Sequence, residues 1–187
     1  GNGGRGGSVT LLAQDSNLVI DDPISTRGGD GRTAGTARGG NGGDITLRTG
    51  VEEGDTGNVL IQALLDAREG ASVTTNADVL ANVDGGTISI TSTGSIDQTG
   101  AEALITTTGD VLLSAENDIG QATGALLVKG GDERRIGITG AFLDEDTLSV
   151  SAGGTADVEV VANGRFLGLL DVTATSDAAN IHVTQSG

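Results

Sequence analysis

"GGNGGDITL", residues 39–47, repeats the form of "GGRGGSVTL", residues 3–11, after a step of 36 positions. Both read Gly-Gly-x-Gly-Gly, then a small polar residue, then a branched aliphatic residue, Thr and Leu. Such an opening fits a phosphate cradle, a calcium-binding turn or the joint of a repeat. The rest of the chain favours the joint. The pattern polar-aliphatic-x-aliphatic, seen at Ser8–Leu11 and Asp44–Leu47, returns at Asn58–Ile61, Thr87–Ile90, Asp110–Leu113, Thr147–Val150, Asp157–Val160, Asp171–Ala174 and Asn180–Val183. In each copy two aliphatic residues stand two apart, so a strand would send both to one face. The residue between them is polar in seven of the nine copies, the period-two mark of a half-buried strand. Ser, Thr, Asp or Asn opens every copy, and Gly precedes five of them. These residue types make turns, so each unit reads as a tight corner followed by a short strand.

Spacing extends the argument. Ile88 to Val111 and Val158 to Ile181 are both steps of 23, and Ile136 falls near the midpoint of Val111 and Val158. "GAFLDEDTLSVS" (140–151) aligns with "GRFLGLLDVTAT" (164–175) at an offset of 24. A period of 23 to 24 with several short strands in each period predicts an all-β fold, a parallel β-helix in which each coil buries its apolar face on the next. Roughly seven coils at about 4.8 Å each would make a rod on the order of 35 Å long. The whole chain, 1–187, reads as one such segment, most regular over 85–187. The N-terminal step from Val9 to Ile45 exceeds one coil. The excess falls in the Gly- and Arg-rich stretch within 27–43, which reads as a loop excursion. "VLIQALLDAREG" (59–70) fits a helix stopped at Gly70 or a strand with a corner, and the neighbouring strands favour the second.

Composition bounds the chemistry. Thirty-three glycines stand against one proline, Pro23, and that many glycines are expected to mark turns. Phe142 and Phe166 are the only aromatic residues, so Val, Ile, Leu and Ala must build the core. The net charge of −16 disfavours nucleic acid and anionic membranes as partners. The absence of Cys removes disulfides and thiol chemistry. No run is apolar enough to insert in a membrane. With no initiator Met and no signal peptide at Gly1, the chain reads as a piece of a longer polypeptide.

With these residues in view, "GGTISITSTGSIDQTG" (85–100), "TTTGDVLLSAENDIGQATGALLVKG" (106–130) and "LDVTATSDAANIHVTQSG" (170–187) resemble the shaft repeats of filamentous haemagglutinin-like bacterial adhesins of the two-partner-secretion type. Gly109-Asp110-Val111-Leu112-Leu113-Ser114-Ala115, followed by Asn117-Asp118-Ile119-Gly120, carries the likeness best. The secretion-domain motif of that family is absent. The resemblance implies a right-handed β-helix, an extracellular or cell-surface location, and an interior or C-terminal shaft position.

Sites of other kinds are weighed against this frame. A P-loop needs Gly-Lys-Ser/Thr opening a helix, and Lys129 precedes "GGDERR" instead. "GGNGGD" (39–44) fits the start of a calcium β-roll nonapeptide, but the preceding nine residues do not continue it. "LDEDT" (143–147) gathers three acids, a pattern more often solvated than cation-binding. Lys129, Asp132, Glu133, Arg134 and Arg135 form the best charged cluster for polysaccharide cleavage, yet aromatic platforms are missing and the net charge repels a polyanion. His182 occupies an outward strand position, and one His without Cys makes no usual zinc site. Thr-x-Thr at 91–93, 106–108 and 173–175 raises ice binding, but the spacing leaves coils without the motif.

The expectation is therefore a non-enzymatic structural shaft with no catalytic, cofactor-binding or metal-ligating residue and no cofactor. Its expected partners are neighbouring coils of the parent chain, with end-to-end or side-by-side copies and surface glycans or receptors as further candidates. The alternatives are a binding module acting through loops 27–43 and 129–135, and, behind it, a carbohydrate-active enzyme.

Overall fold

The computed structural model describes residues 1–32, 36–50, 54–74, 83–100, 102–119, 126–129, 135–141, 147–152, 157–163, 169–174 and 180–186. Among them there are sixteen strands and no helix. In chain order these are β1 (Val9–Ala13), β2 (Leu18–Ile20), β3 (Ile24–Ser25), β4 (Ile45–Thr49), β5 (Val59–Ile61), β6 (Leu64–Asp66), β7 (Ile88–Ser92) and β8 (Ile96–Gln98). Then follow β9 (Leu104–Thr106), β10 (Val111–Asp118), β11 (Leu126–Lys129), β12 (Arg135–Ala141), β13 (Thr147–Ala152), β14 (Asp157–Asn163), β15 (Leu169–Ala174) and β16 (Asn180–Ser186).

The strands form three parallel sheets. The first has the order β1-β4-β7-β10-β12-β14-β16, the second β2-β5-β8, and the third β3-β6-β9-β11-β13-β15. The first three strands thus fall one in each sheet, and so do the next three and the three after them. Ile96 bridges Ile119, which continues the second sheet for one more step.

The register bears out the repeat pattern in detail. Ile88 pairs with Val111, Val111 with Ile136, Ile136 with Val158, and Val158 with Ile181. The nine motif copies are not all equivalent, however. Six lie in the first sheet, Val59–Ile61 lies in the second, and the copies at 147 and 171 lie in the third. The alignment of 140–151 with 164–175 is also corrected. Leu148 pairs with Leu170 and Val150 with Val172, an offset of 22 rather than 24. A slip of two residues keeps every side chain on its face, so alternation alone does not separate the two registers. The observed one matches Leu with Leu and Val with Val, where the other would set Val150 against Ala174.

Ile45, Leu47, Val59, Ile61, Leu65, Ile88, Ile90, Ile96, Ile105 and Val111 are each fully buried in one cluster drawn from all three sheets. Alternation is what sends them there. The β4 and β7 residues between them, Thr46 and Ser89, stay partly exposed. Segment 59–70 contains β5 and β6, the strand-plus-corner alternative.

Ser8, Asp44, Asn17 and Asn58, the polar residues just before β1, β4, β2 and β5, have a different task from the one expected. They act on the next round of the chain rather than on their own turns. Ser8 Oγ accepts the Asp44 N–H, and Asp44 Oδ1 accepts the Thr87 N–H. A second ladder runs beside it, in which Asn17 Oδ1 accepts the Asn58 N–H and Asn58 Oδ1 accepts the Ser95 N–H. Buried hydroxyls close the other corner: Thr26 Oγ1 donates to the Gly43 carbonyl and Thr107 Oγ1 to the Gly86 carbonyl, both at 2.6 Å.

Candidate functional site

The N-terminal glycines build a body with a different period. Gly3, Gly6 and Val9 donate their N–H groups to the carbonyls of Arg38, Asn41 and Asp44. Gly40 and Gly43 donate to Gly29 and Thr26, Gly70 and Val73 donate to Gly40 and Ala37, and Gly42 and Ile45 donate to Asp84 and Thr87. Each set steps by three residues. A strand would step by two, so the backbone here has three residues per turn, the geometry of an extended polyproline-II-type helix. Residues 37–45 bond to four neighbouring segments, two running parallel and two antiparallel. A strand in a sheet bonds to only two.

Glycine is required here because backbones approach closely. Among the described glycines only Gly50, Gly54 and Gly100 have positive φ, so a left-handed backbone is the reason for glycine at few of these positions. A Cβ at Gly40 would collide with the Gly4 carbonyl, and one at Gly70 would collide with the Gly29 carbonyl. The described parts of stretch 27–43 accordingly lie within this hydrogen-bonded body instead of standing clear of it as a loop.

With three residues per turn, every third side chain faces out. Asn2, Arg5 and Ser8 form one exposed column, and Arg38, Asn41 and Asp44 form the next. The columns are locked side by side, because Asn2 Oδ1 accepts the Arg38 N–H and Ser8 Oγ accepts the Asp44 N–H. Between them runs a shallow groove of about 330 Å³, lined by Asn2, Gly3, Arg5, Arg38, Gly40 and Asn41 among others. A second groove of about 350 Å³ lies on the far side of Asn2, reaching Asp30 and Arg32.

Charge is unevenly spread. Residues 1–48 hold Arg5, Arg27, Arg32, Arg38 and Arg48 against Asp15, Asp21, Asp22, Asp30 and Asp44, so the whole surplus of −16 lies beyond them. The acids on the glycine face are already engaged. Asp30 accepts the Ala71 N–H and pairs with Arg27; the Ala71 bond foremost, helped by the Arg27 and Arg32 charges, holds its carboxyl below the usual range against the opposing effect of desolvation. Asp44 is held by Thr87. Among the described residues Arg5 and Arg38 enter no ion pair; those present are Arg27–Asp30 and Arg68–Asp66. In the latter, burial pushes the Asp66 carboxyl up, but hydrogen bonds from the Arg68 side chain and backbone, with its charge, outweigh this and hold it below 3.8.

"GGNGGD" (39–44) is part of the glycine body, and no cluster of three metal-ligating side chains occurs among the described residues. Lys129 ends β11 and Arg135 begins β12, while Asp132, Glu133 and Arg134 lie outside the described residues. Of "LDEDT" (143–147), only Thr147 lies within them, at the start of β13. His182 stands in β16, in register with Glu159 of β14. The Thr-x-Thr units do not form one outward array: Thr91 lies in the first sheet, Thr106 and Thr173 in the third, and Thr106 and Thr107 are buried. The Asn2–Arg5 and Arg38–Asn41 groove was not anticipated. Its signal was present in the three-residue spacing of the non-glycine positions within Gly-Gly-x.

Among the described residues no helix is long and apolar enough to cross a membrane. Comparison with protein-family models, with curated proteins and with solved structures finds no match, so the likeness to adhesin shafts rests on the repeat residues alone.

Proposed function

We propose that this chain is a parallel β-helix serving as a stiff shaft segment of a large secreted or cell-surface bacterial adhesin or fibre. The observation that carries the reading is the return of the chain to the same sheet. Each round lays its strand parallel to the one before, from Val9 on Ile45 through to Val158 on Ile181. Rounds stacked in this way share one core and resist bending, which is what a spacer between a cell and its target requires. The Ser8–Asp44–Thr87 and Asn17–Asn58–Ser95 ladders add fixed links along the stacking direction.

An antibody against the chain, used to blot cytosolic, surface and secreted fractions of the source cells, tests the reading. The expected result is a surface or secreted band far above 18.4 kDa. A cytosolic band near the mass of the chain itself would overturn it.

A further inference from the structure

We propose that the groove between residues 2–5 and 38–41 binds a small hydroxylated carboxylate, the chemistry of a single acidic sugar. Arg5 and Arg38 both line it and neither spends its charge on an ion pair among the described residues. A guanidinium presents a planar fork that matches a carboxylate with two parallel hydrogen bonds. Asn2 and Asn41 add side-chain amide groups on the same walls, able to meet hydroxyl groups. Gly3, Gly39 and Gly40 line it as well, so a pyranose ring can approach the backbone there without meeting a side chain.

Geometry limits the ligand further. The two arginines stand on neighbouring columns at adjacent levels, and successive levels are about 9 Å apart at about 3.1 Å per residue. One carboxylate therefore engages one arginine closely, with the second drawing the ligand in. The surplus of −16 beyond residue 48 opposes a long polyanion running along the molecule. A lone acidic unit, free or at a chain end, avoids that repulsion. The lining residues include no aromatic side chain to stack on, so affinity rests on charge-assisted hydrogen bonds and a dissociation constant on the order of 1 mM is expected.

The test is a titration of the 187-residue chain with D-glucuronate, followed by amide chemical shifts. Saturable shifts are expected at residues 2–5 and 38–41, with D-glucose and acetate each binding about tenfold more weakly. Arg5→Gln and Arg38→Gln should both weaken glucuronate, about tenfold at the arginine that grips the carboxylate and about threefold at the one that acts at a distance. Arg48→Gln, on β4 outside the groove, should leave binding unchanged. The wild-type titration in high salt must also weaken, which tests the charge without relying on a variant's folding. Three results would overturn the proposal: no saturable shift in these segments, acetate or inorganic sulfate binding as tightly as glucuronate, or affinity indifferent to salt and to both arginines. Each is independent of whether the chain is a shaft, since the titration reads only the groove.

Discussion

The glycine body and the sheet core solve one packing problem with opposite means. In the sheets, Ile45, Ile88 and Val111 fill the interior with branched side chains, and backbones stay one strand spacing apart. In the glycine body the side chain is removed, and Gly4, Gly29, Gly40 and Gly70 bring backbone against backbone. The first region draws stability from apolar burial. The second draws it from backbone hydrogen bonds, with segment 37–45 bonding to four neighbours. The two meet without a break, since Val9 and Ile45 each complete a three-residue series and begin a strand. Where the body is present the first-sheet steps are long, from Val9 to Ile45 and from Ile45 to Ile88; the following step, from Ile88 to Val111, shortens to 23.

The sharpest way to break this contrast is Gly40→Ala. Its Cβ meets the Gly4 carbonyl, which is backbone held by a hydrogen bond from Gly29. A loss of more than about 3 kcal/mol is expected in urea unfolding; a loss below about 1 kcal/mol would mean that the body yields and is not close-packed. In the sheets the matching change is Ile90→Ala, at a fully buried position. About 3 kcal/mol is expected there, while Leu12→Ala, at 59% exposure, should cost less than about 0.5.

Acid probes the boundary at Asp66, whose carboxylate ends β6 and is gripped by Arg68. Its folded pKa lies below the ordinary 3.8. Its contribution is therefore complete above that value and is lost as pH falls through the folded pKa. Acid melting curves should show wild type losing stability below about pH 4 more steeply than Asp66→Asn. Equal slopes would show that the pair does not contribute. At neutral pH the same variant should lose about 2 kcal/mol.

The sheet region was legible because alternation is dictated by a two-residue side-chain period, and Ile88, Val111, Ile136, Val158 and Ile181 keep it with steps of 22 to 25. The glycine body was only half legible. Its Gly-Gly-x triplets are plain in 3–8 and 39–44, but glycine permits both turns and close approach, and the sequence does not say which neighbour lies within reach. Contacts such as Gly70 on Gly40 link segments through the fold, not through a repeat. The Arg5–Arg38 groove was hidden for the same reason, since its walls join only when 3–9 pairs with 38–44.

The ladder between rounds makes a smaller claim. Asn58→Ala removes the acceptor for the Ser95 N–H and should cost about 1 kcal/mol in thermal unfolding. No change would mean that water replaces the bond and that the opening polar residues are chosen for solubility.

The smallest effect separates the two uses of glycine within one motif. Gly4 and Gly40 occupy matching places in Gly-Gly-x-Gly-Gly, yet a Cβ at Gly4 would meet nothing within 4 Å. Nor is its φ positive. Gly4→Ala should therefore leave the body intact and, by reducing the freedom of the unfolded chain, stabilise it by about 0.5 kcal/mol. Paired with the large loss at Gly40, that gain would establish that close approach alone demands glycine at its matched position. A loss at Gly4 comparable to that at Gly40 would instead show that the triplet needs glycine for its own backbone, whatever packs against it.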